Sequence, residues 1–169
     1  AGLRHDQVKA HYDTNRVTDP VLKHQKYNLN SGFLRWEQTA GNLKYYAGFG
    51  IAERGPDYWE RLNSENKIVR PEQNRQLDAG VIWKNENVQA SVSVFGSRIN
   101  DFILLEKRGK TSVRNIDANR VGGEAEIKWK FAPNWEIGSN LAYTRGKNRT
   151  DGRPLAQTPP LEWNNSLAW

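Results

Sequence analysis

Along most of the chain, apolar residues recur at every second position. A strand sends successive side chains to opposite faces, so this period puts the apolar set on one face and the polar set on the other. The clearest stretch sets Val121, Gly123, Ala125, Ile127, Trp129 and Phe131 against Arg120, Gly122, Glu124, Glu126, Lys128 and Lys130. Leu43, Tyr45, Ala47, Phe49 and Ile51 alternate with Lys44, Tyr46, Gly48 and Gly50. Leu77, Ala79, Val81 and Trp83 alternate with Asp78, Gly80 and Lys84, with Ile82 as the exception. The pattern returns at Val88 to Val94, at Trp135 to Tyr143 and from Leu161 to Trp169, where Asn165 interrupts the apolar row. Two N-terminal segments, 1–12 and 26–37, are less regular, since Leu34 and Trp36 oppose Leu29 and Phe33. No useful length of 3.6-residue periodicity appears, so the expected fold is all-β with about eight strands. Any helix would have to sit in a connection.

The connections alternate in length. Thr39-Ala40-Gly41, Asn85-Glu86-Asn87 and Ala132-Pro133-Asn134 read as tight turns, whereas 13–25, 53–72, 106–117 and 146–159 read as long polar loops. An antiparallel up-and-down sheet then collects every short turn at one end and every long loop at the other. That asymmetry is the mark of a transmembrane β-barrel wall. Trp36, Tyr45, Trp83, Trp129 and Trp135 all fall within about four residues of a short turn, and Trp169 is placed to join them. An indole is wet at one edge and apolar elsewhere, so such a ring suits a bilayer interface. The charged face, with Lys44, Asp78, Lys84, Glu124, Glu126, Lys128 and Lys130, would then line a wet interior. A water-soluble, lipocalin-like eight-stranded binding barrel, with those charges outside, is the alternative that alternation alone leaves open.

Composition narrows the function. The 169 residues carry a net charge of +6, yet the cations are scattered among acids and concentrate in the long loops. That distribution suits a phosphate-rich outer leaflet and gives no nucleic-acid motif. Mean hydropathy is −0.85 and no apolar run is long enough for a transmembrane helix, which leaves β-spans untouched because half of each span is polar. With no Cys and no Met, the chain offers neither thiolate nor thioether to a metal. His5 and His11 share a strand face but stand six residues apart, about 20 Å along a strand and too far to hold one ion. His24 reads as a loop residue that could assist a cation only with outside partners. No metal site, cofactor, catalytic triad or phosphate loop is expected, so the chain does not read as an enzyme.

The stretch from Tyr46 to Glu60, Tyr-Ala-Gly-Phe-Gly-Ile-Ala-Glu-Arg-Gly-Pro-Asp-Tyr-Trp-Glu, resembles a strand and loop of TonB-dependent outer-membrane receptors, in particular their copper-receptor branch. Arg70 to Gly80 resembles the same family's Pro-Glu start of a strand, and Ser97 to Ile103 and Asn115 to Glu126 match the next two barrel elements in order. The resemblance covers nearly the whole chain. It implies a partial β-barrel domain over residues 1–169, about eight strands of a parent barrel of about 22, without the plug domain. It further implies uptake of a scarce metal ion or metal complex, with copper as a candidate, across the outer membrane of a Gram-negative bacterium. The implied partners are the plug and remaining strands, TonB through that plug, outer-membrane lipid and lipopolysaccharide, and the metal-bearing ligand, whose binding residues would lie elsewhere in the parent. Within this chain, Arg54, Asp57, Tyr58, Trp59 and Glu60 are expected to form a loop touching ligand or plug. An isolated set of such strands leaves open edges, so an incompletely closed sheet is expected.

Overall fold

The computed structural model describes residues 1–11, 23–64 and 68–169. One antiparallel sheet contains every strand among the described residues. In chain order these are β1 (Gly2–His11), β2 (His24–Ala40), β3 (Leu43–Arg54), β4 (Glu72–Lys84), β5 (Val88–Arg108), β6 (Lys110–Ala132), β7 (Trp135–Asn148), β8 (Arg153–Pro154) and β9 (Glu162–Ala168). A short helix, α1 (Tyr58–Leu62), lies between β3 and β4. Each of the strands β1 to β7 pairs with the next in sequence, while β8 and β9 pair in tandem along the free edge of β7. Nine strands thus make a sheet eight positions wide. The break between β8 and β9 contains Pro159 and Pro160, which have no N–H to give to a ladder. Among the described residues β1 does not pair with β8 or β9, so the sheet remains open, as expected.

The expected tight turns stand at Gly41–Asn42, Asn85–Asn87 and Pro133–Asn134. Gly41 takes φ +57°, a conformation that costs glycine little. The turns step down the sheet: the register aligns Leu43 with Trp83, Ala90 and Ile127, whereas the last turn lies beyond Ala132. This stagger is the shear that a tilted barrel wall requires.

Three expectations change at the opposite end. Residues 106–117 are not a loop; β5 and β6 run on to a tip at Gly109 (φ +79°), pairing Leu105 with Val113 and Lys107 with Thr111. Both faces of this extension are covered: Leu104 and Ile116 pack with Leu155, and Ile103 and Val113 with Val69. His24 is not a loop residue but opens β2, opposite His11. The 53–72 connection holds α1, and β3 and β4 extend into it. The expected loop 13–25 lies mostly outside the described residues.

Register partners share a face, so rows can be followed across strands. Tyr45, Val81, Val92, Ala125, Leu141 and Trp163 form one apolar row. Thr39, Lys44, Ile82, Ser91, Glu126, Asn140 and Asn164 form a polar row on the other face. Among the described residues no second layer covers the apolar rows, which stand open with Val94 57% and Leu141 42% exposed. Buried hydrophobic side chains such as Leu29, Ile99, Leu104 and Ile116 instead cluster toward the long-connection end. A contiguous apolar face of this extent is untenable in water and fits hydrocarbon.

Local exceptions have packing reasons. Tyr46 and Phe95 are apolar intruders on the polar face, and each ring lies across a glycine of the neighbouring strand, Gly80 and Gly122. A Cβ on Gly80 would stand 2.5 Å from the Tyr46 ring, so only glycine leaves that space. Asn165 faces Ser139 on the apolar side, and the Ser139 hydroxyl accepts a hydrogen bond from the Trp163 indole at 3.0 Å. Leu29, which made the second segment look irregular, is buried near Gly55 of the connection that follows β3.

Candidate functional site

The end of β3 and the connection that follows it carry all five residues expected to touch ligand or plug, and the structure divides their labour. Asp57 caps α1: its carboxylate accepts from the Glu60 N–H at 2.7 Å, while Glu60 accepts from the Asp57 N–H at 2.8 Å. This reciprocal pair satisfies donors that a helix start otherwise leaves unbonded. Arg54, the last residue of β3, grips two carboxylates at once. Its guanidinium donates to Glu60 at 2.9 Å through each terminal nitrogen and to Glu72 at 3.0 and 3.2 Å. Hydrogen bonds from Glu72 and then Glu60, with their negative charge, hold the Arg54 pKa well above its ordinary value despite partial burial. Glu72 also accepts from the Ile103 N–H at 3.2 Å, which ties the clamp to β5.

Arg54, Asp57 and Glu60 therefore spend their polar groups on holding the connection in place. Tyr58 and Trp59 stand 47% and 64% exposed and meet edge to face at 5.5 Å. The far side of α1 is docked too. Asn63 offers its carbonyl to the Val113 N–H at 3.1 Å, and Asn115 bonds both the N–H and the carbonyl of Arg70. The arrangement presents two aromatic side chains on a platform braced at both ends.

A second anchor was not foreseen from sequence. Arg114 on β6 reaches Glu106 at 3.2 Å and also pairs with Asp151, in the connection after β7. The Arg114 hydrogen bond keeps the Asp151 carboxyl below the usual carboxylate range, so this tie persists at neutral pH and is lost only in acid. Leu155 closes the same connection over Gly146, where a Cβ would stand 2.8 Å from the Leu155 Cβ. No local signal marks these partners, which are 37 residues apart for Arg114 and Asp151.

On the polar face Arg35 donates to Glu37 at 2.7 Å, lies 4.2 Å over the Tyr46 ring and approaches Asp78 at 4.0 Å. Lys44 meets Glu37 at 2.7 Å and Lys128 meets Glu126 at 3.1 Å. These contacts make a charge-balanced polar wall. His11 and His24 face each other, Nδ1 to Nδ1 at 3.1 Å, so one ring's N–H donates a hydrogen bond to the other's unprotonated nitrogen. His5 instead bonds Asn30 at 2.8 Å. Among the described residues no group of three His, Cys, Asp or Glu side chains could hold a metal ion.

The aromatic residues expected at a membrane interface gather toward the tight-turn end. Trp129, Phe131, Trp135 and Trp169 form a chain of ring contacts with centroids 5.8, 6.3 and 6.3 Å apart. Trp36, Trp83 and Trp129 occupy progressively lower register rows, with the Tyr45 row between the first two, stepping down the sheet with the turns.

The whole of this chain, residues 1–169, matches the family model described as TonB dependent receptor-like, beta-barrel. Among solved structures it is similar to one titled "Copper transporter OprC", with 35% identity and a TM-score of 0.90 over 98% of this chain and 28% of that one. It shares its fold with the FrpB iron transporter from Neisseria meningitidis (F3-3 variant), at 16% identity and TM-score 0.67 over 98% of this chain and 26% of that one. The ferripyoverdine receptor of the outer membrane of Pseudomonas aeruginosa gives 16% identity and TM-score 0.63 over 85% of this chain and 20% of that one. A search of curated protein sequences returns no match. The chain spans between 20% and 28% of the length of these three structures. An uninterrupted up-and-down sheet, an uncovered apolar face and a match along its full length make the chain a member of the TonB-dependent receptor β-barrel family.

Proposed function

We propose that this chain supplies barrel wall and external loops to an outer-membrane receptor that takes up a metal ion or metal complex, with copper the first substrate to test. The observation that carries the proposal is the 35% identity to the copper transporter structure, sustained across 98% of the chain. Residues 1–169 act as part of one barrel domain; the remaining strands close the open edges, and a plug domain that engages TonB occupies the polar interior. Wall charges such as Lys44, Asp78 and Glu124 then face that interior, while the tryptophan group sits at the periplasmic interface of a Gram-negative outer membrane. A lipocalin-like carrier lacks support, because its apolar rows would pack inward and here they stand uncovered.

Within this reading, contact with ligand or plug belongs to Tyr58 and Trp59, braced by Arg54, Asp57 and Glu60. Replacing Trp59 by Ala in the complete receptor is expected to cut copper uptake several-fold while barrel assembly is unchanged, since an exposed aromatic adds little to folding but much to a contact. Uptake is measured with copper alone and with iron chelates in parallel. Uptake equal to wild type in the Tyr58→Ala/Trp59→Ala double variant contradicts the role given to this platform, and wild-type uptake of an iron chelate in place of copper contradicts the substrate.

A further inference from the structure

His11 ends β1 and His24 opens β2, and the register sets them directly opposite each other. Register partners share a face, so both imidazoles leave the sheet on the same side. The rings approach to 4.4 Å between centroids, tilted by 34°, with Nδ1 3.1 Å from Nδ1. Two nitrogens on one metal ion need such a spacing: with metal–nitrogen bonds of about 2.05 Å, adjacent corners of a square lie about 2.9 Å apart and corners of a tetrahedron about 3.3 Å. Both rings are exposed, so a modest turn of each aims its Nδ1 lone pair at an ion beside the line between them. The ring that donates its Nδ1 proton in the free pair then carries that proton on Nε2, and two neutral imidazoles release none overall.

Level and face decide what reaches the pair. His24 shares the face of β2 that carries Leu34 and Trp36, and it lies about 40 Å of strand from Trp36, or about 30 Å along the membrane normal at a tilt near 40°. The apolar band of an outer-membrane barrel is about 25 Å tall, so the pair stands clear of hydrocarbon, in water at the loop end. It also stands outside the wall, away from the polar interior. The next row on the same face holds Lys9 and Lys26, whose charge weakens the hold on any cation and narrows the occupants to ions that imidazole binds strongly. We propose that His11 and His24 bind a divalent transition-metal ion, Cu(II) in first place, through their two Nδ1 atoms, with water in its other positions. Cu(II) heads the first-row divalent ions at nitrogen sites and takes adjacent nitrogens in its tetragonal geometry. The ion joins β1 to β2 at their loop end and is held there rather than imported. Its place outside the bilayer rests on the receptor reading, whereas the chelating geometry does not.

The test uses the complete receptor in detergent, titrated with aqueous Cu(II) and followed by calorimetry and electron paramagnetic resonance. The difference between wild type and His11→Ala/His24→Ala should be one Cu(II) ion whose signal is split by two nitrogens. Each single variant should hold that ion at least about tenfold more weakly, because the second imidazole of the pair binds intramolecularly. Ni(II) should bind the same pair more weakly than Cu(II). Lys9→Gln/Lys26→Gln should tighten binding, whereas His5→Ala, which removes a ring bonded to Asn30, should leave it unchanged. Cu(II) should also slow amide exchange at Ala10 and Gln25 in the wild type and not in the double variant. Equal Cu(II) binding by wild type and double variant overturns the site. Copper uptake is followed in parallel: a double variant that lacks the ion yet imports copper like wild type supports a held ion, and uptake lost together with the ion overturns it. A wild-type receptor that binds the ion but imports no copper supports the site and strikes the receptor reading alone.

Discussion

Replacing Val94 by arginine is expected to destabilise the membrane-folded receptor by about 2–4 kcal/mol, the cost of a cation near the bilayer midplane on the lipid face of a barrel. Val94 sits midway between the levels of Ala90, the register partner of Trp83, and Arg98. Its side chain is already 57% exposed in the isolated sheet. In a water-soluble protein a substitution at so open a site changes stability by about 0.5 kcal/mol or less, so the size of the effect reports what surrounds the face. Ser93→Arg makes the matched control one residue away. Ser93 points to the polar face opposite Glu124, where an added cation finds both water and a counter-charge. Denaturant titration of both variants in lipid vesicles, followed by tryptophan emission, should show a large loss for Val94→Arg and almost none for Ser93→Arg.

Arg54→Ala is the second large expected effect. Glu60 and Glu72 are 13% and 18% exposed at the side chain, and both lose their shared cation together. Two largely enclosed carboxylates then repel each other, and the local cost is about 2 kcal/mol, less than for a fully buried pair because Arg54 itself is 46% exposed. The loss should be confined to the connection, appearing as faster amide hydrogen exchange at Glu60, Asn63 and Ile103 while β4 and β5 amides below Arg75 keep their protection. Arg54→Lys should recover only part of it, because one ammonium group cannot reproduce paired contacts to two carboxylates. Unchanged exchange at Glu60 and Asn63 in Arg54→Ala contradicts the clamp.

The fold was legible where one face is uniformly apolar. From Val121 to Phe131 the alternation survives because one side meets a single environment and the other side water. It failed at Ile103 and Leu104, where apolar residues run together, because there Leu155 covers one face of the hairpin and Val69 the other. Sequence alone could not foresee those covers, which come from distant connections. Of the loop residues, Asp57 and Glu60 stand at the spacing of a capping box, a local signature that reads as helix start before it reads as ligand site. Arg54 could be singled out as a loop cation, but its second partner Glu72 depends on the β3–β4 register. The same holds for His11 and His24. Each pair is invisible until the strands are aligned, since a slip of one residue would send one partner to the other face.

The central claim is that the apolar rows face lipid and the charged rows face the barrel interior. This chain contains no cysteine, so single cysteines can be placed along 121–131 in the complete receptor, with any others removed, and labelled with a fluorophore in vesicles. Positions Val121, Gly123, Ala125, Ile127, Trp129 and Phe131 should be quenched by lipid-borne nitroxides. Gly122, Glu124, Glu126, Lys128 and Lys130 should be quenched by a water-soluble agent. The reverse pattern, or quenching from water at every position, would contradict the account.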